Sequence, residues 1–155
     1  MPAGSEGAGL TVPPLPRTWR PLGPRVVGVM VTIALIVVVA VGWLSFDDET
    51  RGKFTAFQIG TLIFFGLLYL ALMYGITRSR AVAYDDRLVV VNGYRRHEYA
   101  WPQIVAARLP PGAPWVTLDL ADGETAAVLG IQGSDGQRAR TAVRELKALV
   151  AAASA

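Results

Sequence analysis

The side chains that most often perform catalysis are sparse in this sequence. His97 is its single histidine, and the 155 residues contain no cysteine. Thiol catalysis, thiolate zinc sites and redox switching are therefore excluded. A serine hydrolase would pair His97 with a nucleophile, but there is no Gly-x-Ser-x-Gly motif, and Ser134 is better explained as a helix cap. We predict that the protein is not an enzyme and that His97 has a structural or partner-binding role.

Metal and phosphate sites are also weakly indicated. Asp119, Asp122 and Glu124 would suit calcium, yet they straddle a predicted turn that already explains Asp122. One histidine without cysteine disfavours a transition-metal site. No glycine-rich loop follows a strand and opens a helix, as a phosphate-binding loop would. The sequence therefore predicts no cofactor and no metal.

The clearest candidates for binding are basic. Arg95, Arg96 and His97 are consecutive, and Arg78 and Arg80 follow an apolar segment. These residues could contact anionic lipid or an acidic partner; otherwise they are a solvated hairpin tip and topology-setting charges. The remaining basic charge is scattered and the net charge is only +3, which predicts no nucleic-acid binding.

Two tryptophans are the aromatic candidates. Trp101 and Trp115 each stand beside a proline at the start of a predicted strand. Packing in or at the rim of a core is the plain interpretation. The alternative is that Trp101 and Trp115 line a groove for a peptide or other ligand.

Two long apolar segments dominate the elements that position these residues. The segments 26–46 and 54–77 contain no Asp, Glu, Lys, Arg or His, and 52% of the whole chain is apolar. A helix of 21 residues spans about 32 Å, enough for a hydrocarbon core of about 30 Å. A globule of this size cannot enclose two such helices, so we predict transmembrane helices at 26–46 and 54–77. A cleaved signal peptide is the alternative for the first.

The flanking charges predict the orientation of these helices. Five basic residues lie on the terminal sides of the two segments, and two lie in the loop 47–53. This bias predicts a cell-membrane protein with two spans, both termini in the cytoplasm and loop 47–53 outside. Residues 1–25 hold six of the ten prolines, which predicts a disordered cytoplasmic tail.

The region 78–155 has the pattern of an aqueous domain. Short β-rich runs come first, and after Ile131 the apolar residues follow helical spacing. Ser134 and Gln137 have the spacing of a capping box. We predict an α+β domain in which a sheet or partly open barrel of about six antiparallel strands is capped by a C-terminal amphipathic helix.

An Asn-Gly pair at 92–93 predicts the first hairpin. A type I′ turn with these two residues at its centre places Arg87 opposite Glu98, a complementary pair. That register assigns the face of Arg87, Val89 and Glu98 to water.

An Asp-Gly pair at 122–123 predicts a second hairpin. Centring the turn on these residues places Leu118 opposite Ala127 and Val116 opposite Leu129. These four residues would then form one apolar face.

The order of these features resembles the bacterial pleckstrin-homology (PH)-like domains of small actinobacterial membrane proteins, which are similar to a low-molecular-weight antigen family described as PH domain-containing. The matching features are the two-helix anchor, the NGYRR turn, the Trp-x-x-Ile step at 101–104, the Pro-Trp pair at 114–115, the LADG hairpin and the closing helix. The resemblance covers roughly residues 25–150. It implies a PH-like barrel without enzymatic chemistry.

The resemblance also bears on phosphoinositide binding. Eukaryotic PH domains that bind phosphoinositides present Lys or Arg in the loop between their first two strands, where these side chains hold phosphate. We expect that loop at Asp85-Asp86, where an anionic headgroup would be repelled.

Two functions therefore stay open. The first is a membrane-tethered module, built on the cytoplasmic domain 78–155, that binds a protein partner at high local concentration. The alternative is a sensor of anionic lipid at the inner membrane face that uses Arg78, Arg80, Arg95 and Arg96.

Overall fold

The computed structural model describes residues 12–154, and the chain forms two compact units. Residues 22–78 form a helical unit. The segment up to residue 21 joins the residues from 79 onward in a β-rich unit, which is therefore discontinuous in sequence. The predicted fold class, two long apolar helices followed by an α+β domain, is confirmed.

Two long helices dominate the helical unit. Helix α1 comprises Gly23–Ser45 and helix α3 comprises Ala56–Arg78, with the short helix α2 (Asp48–Gly52) between them. Both long helices have the length and composition of membrane spans. Of the most apolar stretch of each helix, 0% of the residues are buried in α1 and 6% in α3. Core helices of a soluble domain would be mostly buried. The two helices therefore indicate membrane localisation.

Polar contacts join α1 to α3. The Thr32 and Tyr69 hydroxyl oxygens lie 3.1 Å apart, and the Arg25 guanidinium donates to the Thr77 carbonyl at 2.9 and 2.5 Å. The second contact satisfies a carbonyl in the last turn of α3 that has no partner within the helix. The two apolar helices therefore form a hairpin.

The connector 47–53 is ordered around α2. The Asp47 carboxylate accepts a hydrogen bond from the Thr50 amide at 2.9 Å, as a helix cap does. Hydrogen bonds from Thr50 lower the pKa of Asp47 from its usual value. The Trp43 and Phe54 rings pack edge to face across the connector, with centroids 5.5 Å apart.

In its described part, the β-rich unit contains seven strands in two antiparallel sheets, where the sequence predicted about six. The first sheet has the order β1-β2-β3-β4 and the second the order β5-β6-β7. The strands are β1 (Arg17–Trp19), β2 (Arg80–Ala83), β3 (Arg87–Asn92), β4 (Arg95–Ala100), β5 (Ile104–Arg108), β6 (Trp115–Leu120) and β7 (Thr125–Gln132). Helix α4 (Gln137–Ala153) follows and packs on β5 and β7.

Strand β1 lies in the proline-rich segment for which disorder is predicted, and for Arg17–Trp19 that prediction is wrong. The remainder of the predicted tail includes residues 1–11, which lie outside the described residues. Strand β1 pairs with β2, and Trp19, opposite Ala81, is only 6% exposed. The helical unit is thus an insertion between two neighbouring strands. Trp19 and Ala81 must lie on the same side of any membrane that the helices cross.

The predicted register of the first hairpin is wrong. Gly93 and Tyr94 form the two-residue turn, and Asn92 pairs with Arg95. Gly93 has φ 61° whereas Tyr94 has no positive φ, as a type II′ turn requires. The Asn92 side chain is used elsewhere, since it donates to the Ala127 carbonyl at 2.6 Å and accepts from the Leu129 amide at 3.0 Å.

This shift moves each partner by two residues, so the two faces of the hairpin keep their composition. The assignment of one face to water is nevertheless wrong, because Val89 and Val91 on that face are both 5% exposed. Val91 lies between Arg80 and Arg96 on the neighbouring strands. The alkyl stems of such arginines cover apolar neighbours while their charged ends stay in water.

The second hairpin differs from the prediction by one residue. Leu118 pairs with Ala126 and Val116 with Val128, because the connection is longer than two residues. The Gly123 amide donates to the Leu120 carbonyl, and Gly123 has φ 85°. A three-residue loop that ends on a left-handed glycine shifts the register by one. Val128, with 0% exposure, takes the position opposite Val116 that was predicted for Leu129.

The core lies between the sheets and α4. Leu88, Leu118 and Leu146 are fully buried there. The sheets approach closely at Gly130, where a Cβ would lie 2.5 Å from the Ala81 amide nitrogen. The predicted capping box is wrong: Ser134 lies in a 3₁₀ turn, and α4 starts after Gly136 without a side-chain cap.

Candidate functional site

The predicted basic cluster is divided between two faces of the first sheet. Arg80, Val91 and Arg96 are neighbours in one cross-strand row, which puts the two arginines about 10 Å apart at the backbone. Arg95 and His97 alternate with Arg96 and therefore point to the opposite face. The four predicted arginines thus do not converge within this sheet.

Arg78 belongs to the helical unit. It is the last residue of α3, and its guanidinium carbon lies 5.9 Å from the centre of the Tyr74 ring. This position, one turn beyond Tyr74, is that of an interfacial cation at the end of an apolar helix.

His97 is exposed on β4. Its ring stacks on Tyr99 with the centroids 6.2 Å apart and the planes 17° from parallel. Tyr99 packs against the core, and burial followed by the Asp122 and Glu124 carboxylates raises its pKa. Hence the tip of the second hairpin lies near β4.

The two tryptophans have different environments. Trp101 is 5% exposed, and its indole nitrogen donates to the Tyr84 carbonyl at 3.0 Å. This leaves almost none of its ring surface for a ligand. Trp115 begins β6 with 39% exposure. Only Trp115 of the pair offers its ring to a groove.

The acidic residues considered for calcium have other roles. The Asp119 carboxylate pairs with Arg108 at 2.5 Å, and the Asp122 carboxylate accepts from the Glu124 amide at 2.9 Å within the turn. Within residues 12–154, no group of three or more histidines, cysteines and carboxylates is placed to hold a metal ion.

A cluster around Glu145 is a feature that sequence reasoning missed. Glu145 accepts hydrogen bonds from Arg17 at 2.8 and 2.9 Å and from the Trp19 indole at 2.8 Å. These bonds tie α4 to β1, and the residues around them line a cleft. Helical spacing places Glu145 on the solvent-facing side of α4. No local signal in residues 17–19 indicates a partner 126 residues away.

Comparison with known proteins agrees with this architecture. Residues 78–149, which contain six of the seven strands and most of α4, match the family described as Bacterial PH domain. The β-rich unit is therefore similar to a bacterial PH domain, and we call this unit the PH domain below. The family match does not include β1, which completes the first sheet of this PH domain from the other side of the helical insertion.

Similar proteins occur in mycobacteria. The chain is 26% identical over 136 residues to uncharacterized proteins of Mycobacterium bovis and Mycobacterium tuberculosis, a match that covers 86% of this chain and 84% of each relative. No solved structure is a significant match. The resemblance to PH-like proteins of actinobacteria is thereby confirmed.

The position of β1 corrects the expectation about the headgroup loop. Asp85 and Asp86 lie between the second and third strands, not between the first two. The connection between the first two strands of this PH domain is the whole helical unit, residues 22–78. Two apolar helices therefore stand between the first two strands, where the resemblance implied a loop.

Proposed function

We propose that this protein is a non-enzymatic binding module held at the cytoplasmic face of the cell membrane, where its PH domain binds a protein partner. The observation that carries the proposal is the insertion of two apolar helices between the paired strands β1 and β2. The domain is then anchored at two points of its own sheet. Both termini are cytoplasmic, and the connector 47–53 is outside.

Anchoring gives the module its mechanism. A domain confined to the membrane plane meets other proteins of that membrane at a raised effective concentration, so modest contacts suffice for binding. Two attachments restrict its rotation more than one would, because each removes orientational freedom of the domain.

The edge strand β4 is the surface that we assign to the partner. Among residues 12–154, β4 pairs with no strand except β3, and five of its six residues are exposed. In a hairpin with a two-residue turn, Arg95, His97 and Tyr99 pair with β3, so the backbone groups of Arg96 and Glu98 point away from it. An open edge of this kind accepts an extended segment of another protein.

A role in sensing anionic lipid with all four arginines is less favoured. Arg95 and Arg96 point to opposite faces of the sheet, so a flat membrane surface could not contact both. Their positions suit contacts on either side of an added strand.

Proximity labelling in the native cell tests the proposal. The full chain with a labelling enzyme at its C-terminus is compared with Arg95→Glu/His97→Glu on β4 and with the control Arg140→Glu/Lys147→Glu on α4. We expect the β4 variant to lose a subset of neighbours that the control retains. Identical neighbours for all three proteins would contradict the assignment of β4.

The non-enzymatic role is tested separately. A turnover activity that His97→Ala abolishes would contradict it.

A further inference from the structure

A cleft of about 530 Å³ lies between β1 and α4 within the PH domain. It is lined by the buried residues Gly130 and Ile131 of β7 and by Arg17, Arg20 and Arg138. This volume is in the range of sites that hold small molecules, which is about 300–1,000 Å³.

Two of these arginines are available to bind an anion. Arg20 and Arg138 are exposed, and among residues 12–154 neither side chain has a hydrogen-bond or ion-pair partner. Both guanidinium groups line one cleft, and each presents hydrogen-bond donors that suit an anion.

Glu145, one of the two acidic residues that line the cleft, is already neutralised. Glu145 receives two hydrogen bonds from Arg17 and one from the Trp19 indole, and its side chain is 18% exposed. A carboxylate that accepts three such bonds has little capacity left to repel an incoming anion. Asp135 also lines the cleft and makes an interaction of its own. The cleft therefore keeps a positive balance.

Neutral donors surround the two arginines. The hydroxyl groups of Thr18 and Thr141 and the amide of Gln137 line the same cleft. Thr141 accepts from Arg144 at 3.3 Å, which leaves its own hydroxyl hydrogen free to donate. Five donor side chains exceed what the two oxygens of a carboxylate need, whereas a phosphate group has three or four acceptor oxygens.

We infer that this cleft binds a phosphate group, held by Arg20 and Arg138 with Thr18, Gln137 and Thr141 as additional donors. The phosphate belongs either to an anionic lipid headgroup or to a soluble phosphate ester. The inference does not depend on the proposed protein partner, which uses β4.

The charge distribution of the domain also favours anion binding at this cleft. Residues 12–21 and 135–154 carry six cationic and two acidic side chains, whereas residues 79–134 carry five and six. A net charge of +4 is therefore collected on β1 and α4, with −1 on the rest. Such a field attracts anions to the cleft. Arg20 is also only three residues before the first residue of α1 in the sequence.

The test uses the full chain in phosphatidylcholine nanodiscs and two probes. Glycerol 1-phosphate, a phosphate ester without acyl chains, is titrated by calorimetry. In the second arm, phosphatidic acid is included in the nanodiscs, and hydrogen exchange is followed in residues 17–20 and 137–142. Each arm compares the native chain with Arg20→Gln/Arg138→Gln and with Arg140→Gln/Lys147→Gln, a control that removes the same charge from exposed positions of α4.

We expect the Arg20→Gln/Arg138→Gln variant to lose at least about tenfold in affinity or protection, and the control to lose less than about threefold. Binding of glycerol 1-phosphate would support a soluble phosphate ester, and protection by phosphatidic acid alone would support a headgroup. Equal losses in both variants would overturn the inference in favour of general charge attraction. An absence of binding in both arms for the native chain would also overturn it.

Discussion

At the scale of single residues, Glu145 connects the two ends of the PH domain. Its carboxylate accepts from Arg17 and Trp19 on β1 while its backbone belongs to α4. Charge-assisted bonds between partly buried groups are stronger than exposed ion pairs, and the loss of one partner leaves the others unsatisfied. Glu145 therefore contributes to stability although helical spacing places it on the solvent-facing side of α4.

Replacement of Glu145 tests this role. Glu145→Ala should lower the free energy of unfolding of the domain by about 2 kcal/mol, because Arg17 and Trp19 both lose their acceptor. Urea unfolding of the full chain in detergent, followed by tryptophan fluorescence, measures the change. Arg144→Ala, at the exposed neighbouring position, should change stability by less than about 0.5 kcal/mol. Equal effects of the two variants would show that the contacts of Glu145 contribute nothing beyond those of an exposed site.

Tyr99 reports on the proximity of β4 to the second hairpin. Burial and the carboxylates of Asp122 and Glu124 raise its pKa, so the neutral hydroxyl is favoured in the folded state. The resulting stabilisation is fully present below the unfolded pKa of about 10 and is lost as the pH rises through the higher folded pKa. Asp122→Asn should lower the Tyr99 pKa, measured by ultraviolet titration against a Tyr99→Phe reference. An unchanged titration would contradict this proximity.

At the scale of elements, β1 contributes more to the sheet and the core of the PH domain than its length of three residues suggests. It forms one edge of the first sheet, and Trp19 contributes one of the larger buried side chains of the core. A segment that begins at residue 78 lacks this strand, although it includes the whole region that matches the PH family. The complete domain therefore requires both sides of the helical insertion.

Two tryptophan variants separate this role from a general effect of removing an aromatic ring. Trp19→Ala should destabilise the PH domain by about 3–5 kcal/mol, because it empties a core site and removes a bond to Glu145. Trp115→Ala, at a position that is 39% exposed, should cost less than about 1.5 kcal/mol. Thermal unfolding of the full chain in detergent gives both values. A Trp19→Ala variant as stable as Trp115→Ala would exclude β1 from the core.

At the scale of the whole molecule, the pairing of β1 with β2 constrains membrane topology. These strands flank the helical unit and must share one side, so an even number of crossings is required. The charge bias of the flanking arginines predicts that this side is the cytoplasmic one. The fold by itself does not determine the side.

Alkaline phosphatase, which is active only outside the cytoplasm, tests both statements. Fusions at either terminus should be inactive, and an insertion at Gly52 in the connector should be active. Activity at both termini would reverse the orientation but keep the two crossings. Activity at only one terminus would contradict the pairing of β1 with β2 across an intact hairpin.

Some properties of this protein follow from short stretches of its sequence. The solvation of 21 consecutive apolar residues is a property of that stretch, so α1 and α3 were predictable to within three residues. The two-fold and helical periodicities likewise indicated the α+β class. The position of Arg78 at the end of an apolar helix follows in the same way.

Other properties depended on contacts between distant residues. The type II′ turn at Gly93 leaves Asn92 free to bond to β7, and an Asn-Gly pair alone favours a different turn. The pairing of Trp19 with Ala81 spans 62 positions, and its stabilisation comes from a core that exists only after folding. The sequence by itself therefore determined the membrane helices and the fold class, because solvation and periodicity are local. Tertiary structure decided the interrupted sheet, the strand registers and the cleft beside Glu145, because each of them depends on partners far apart in the chain.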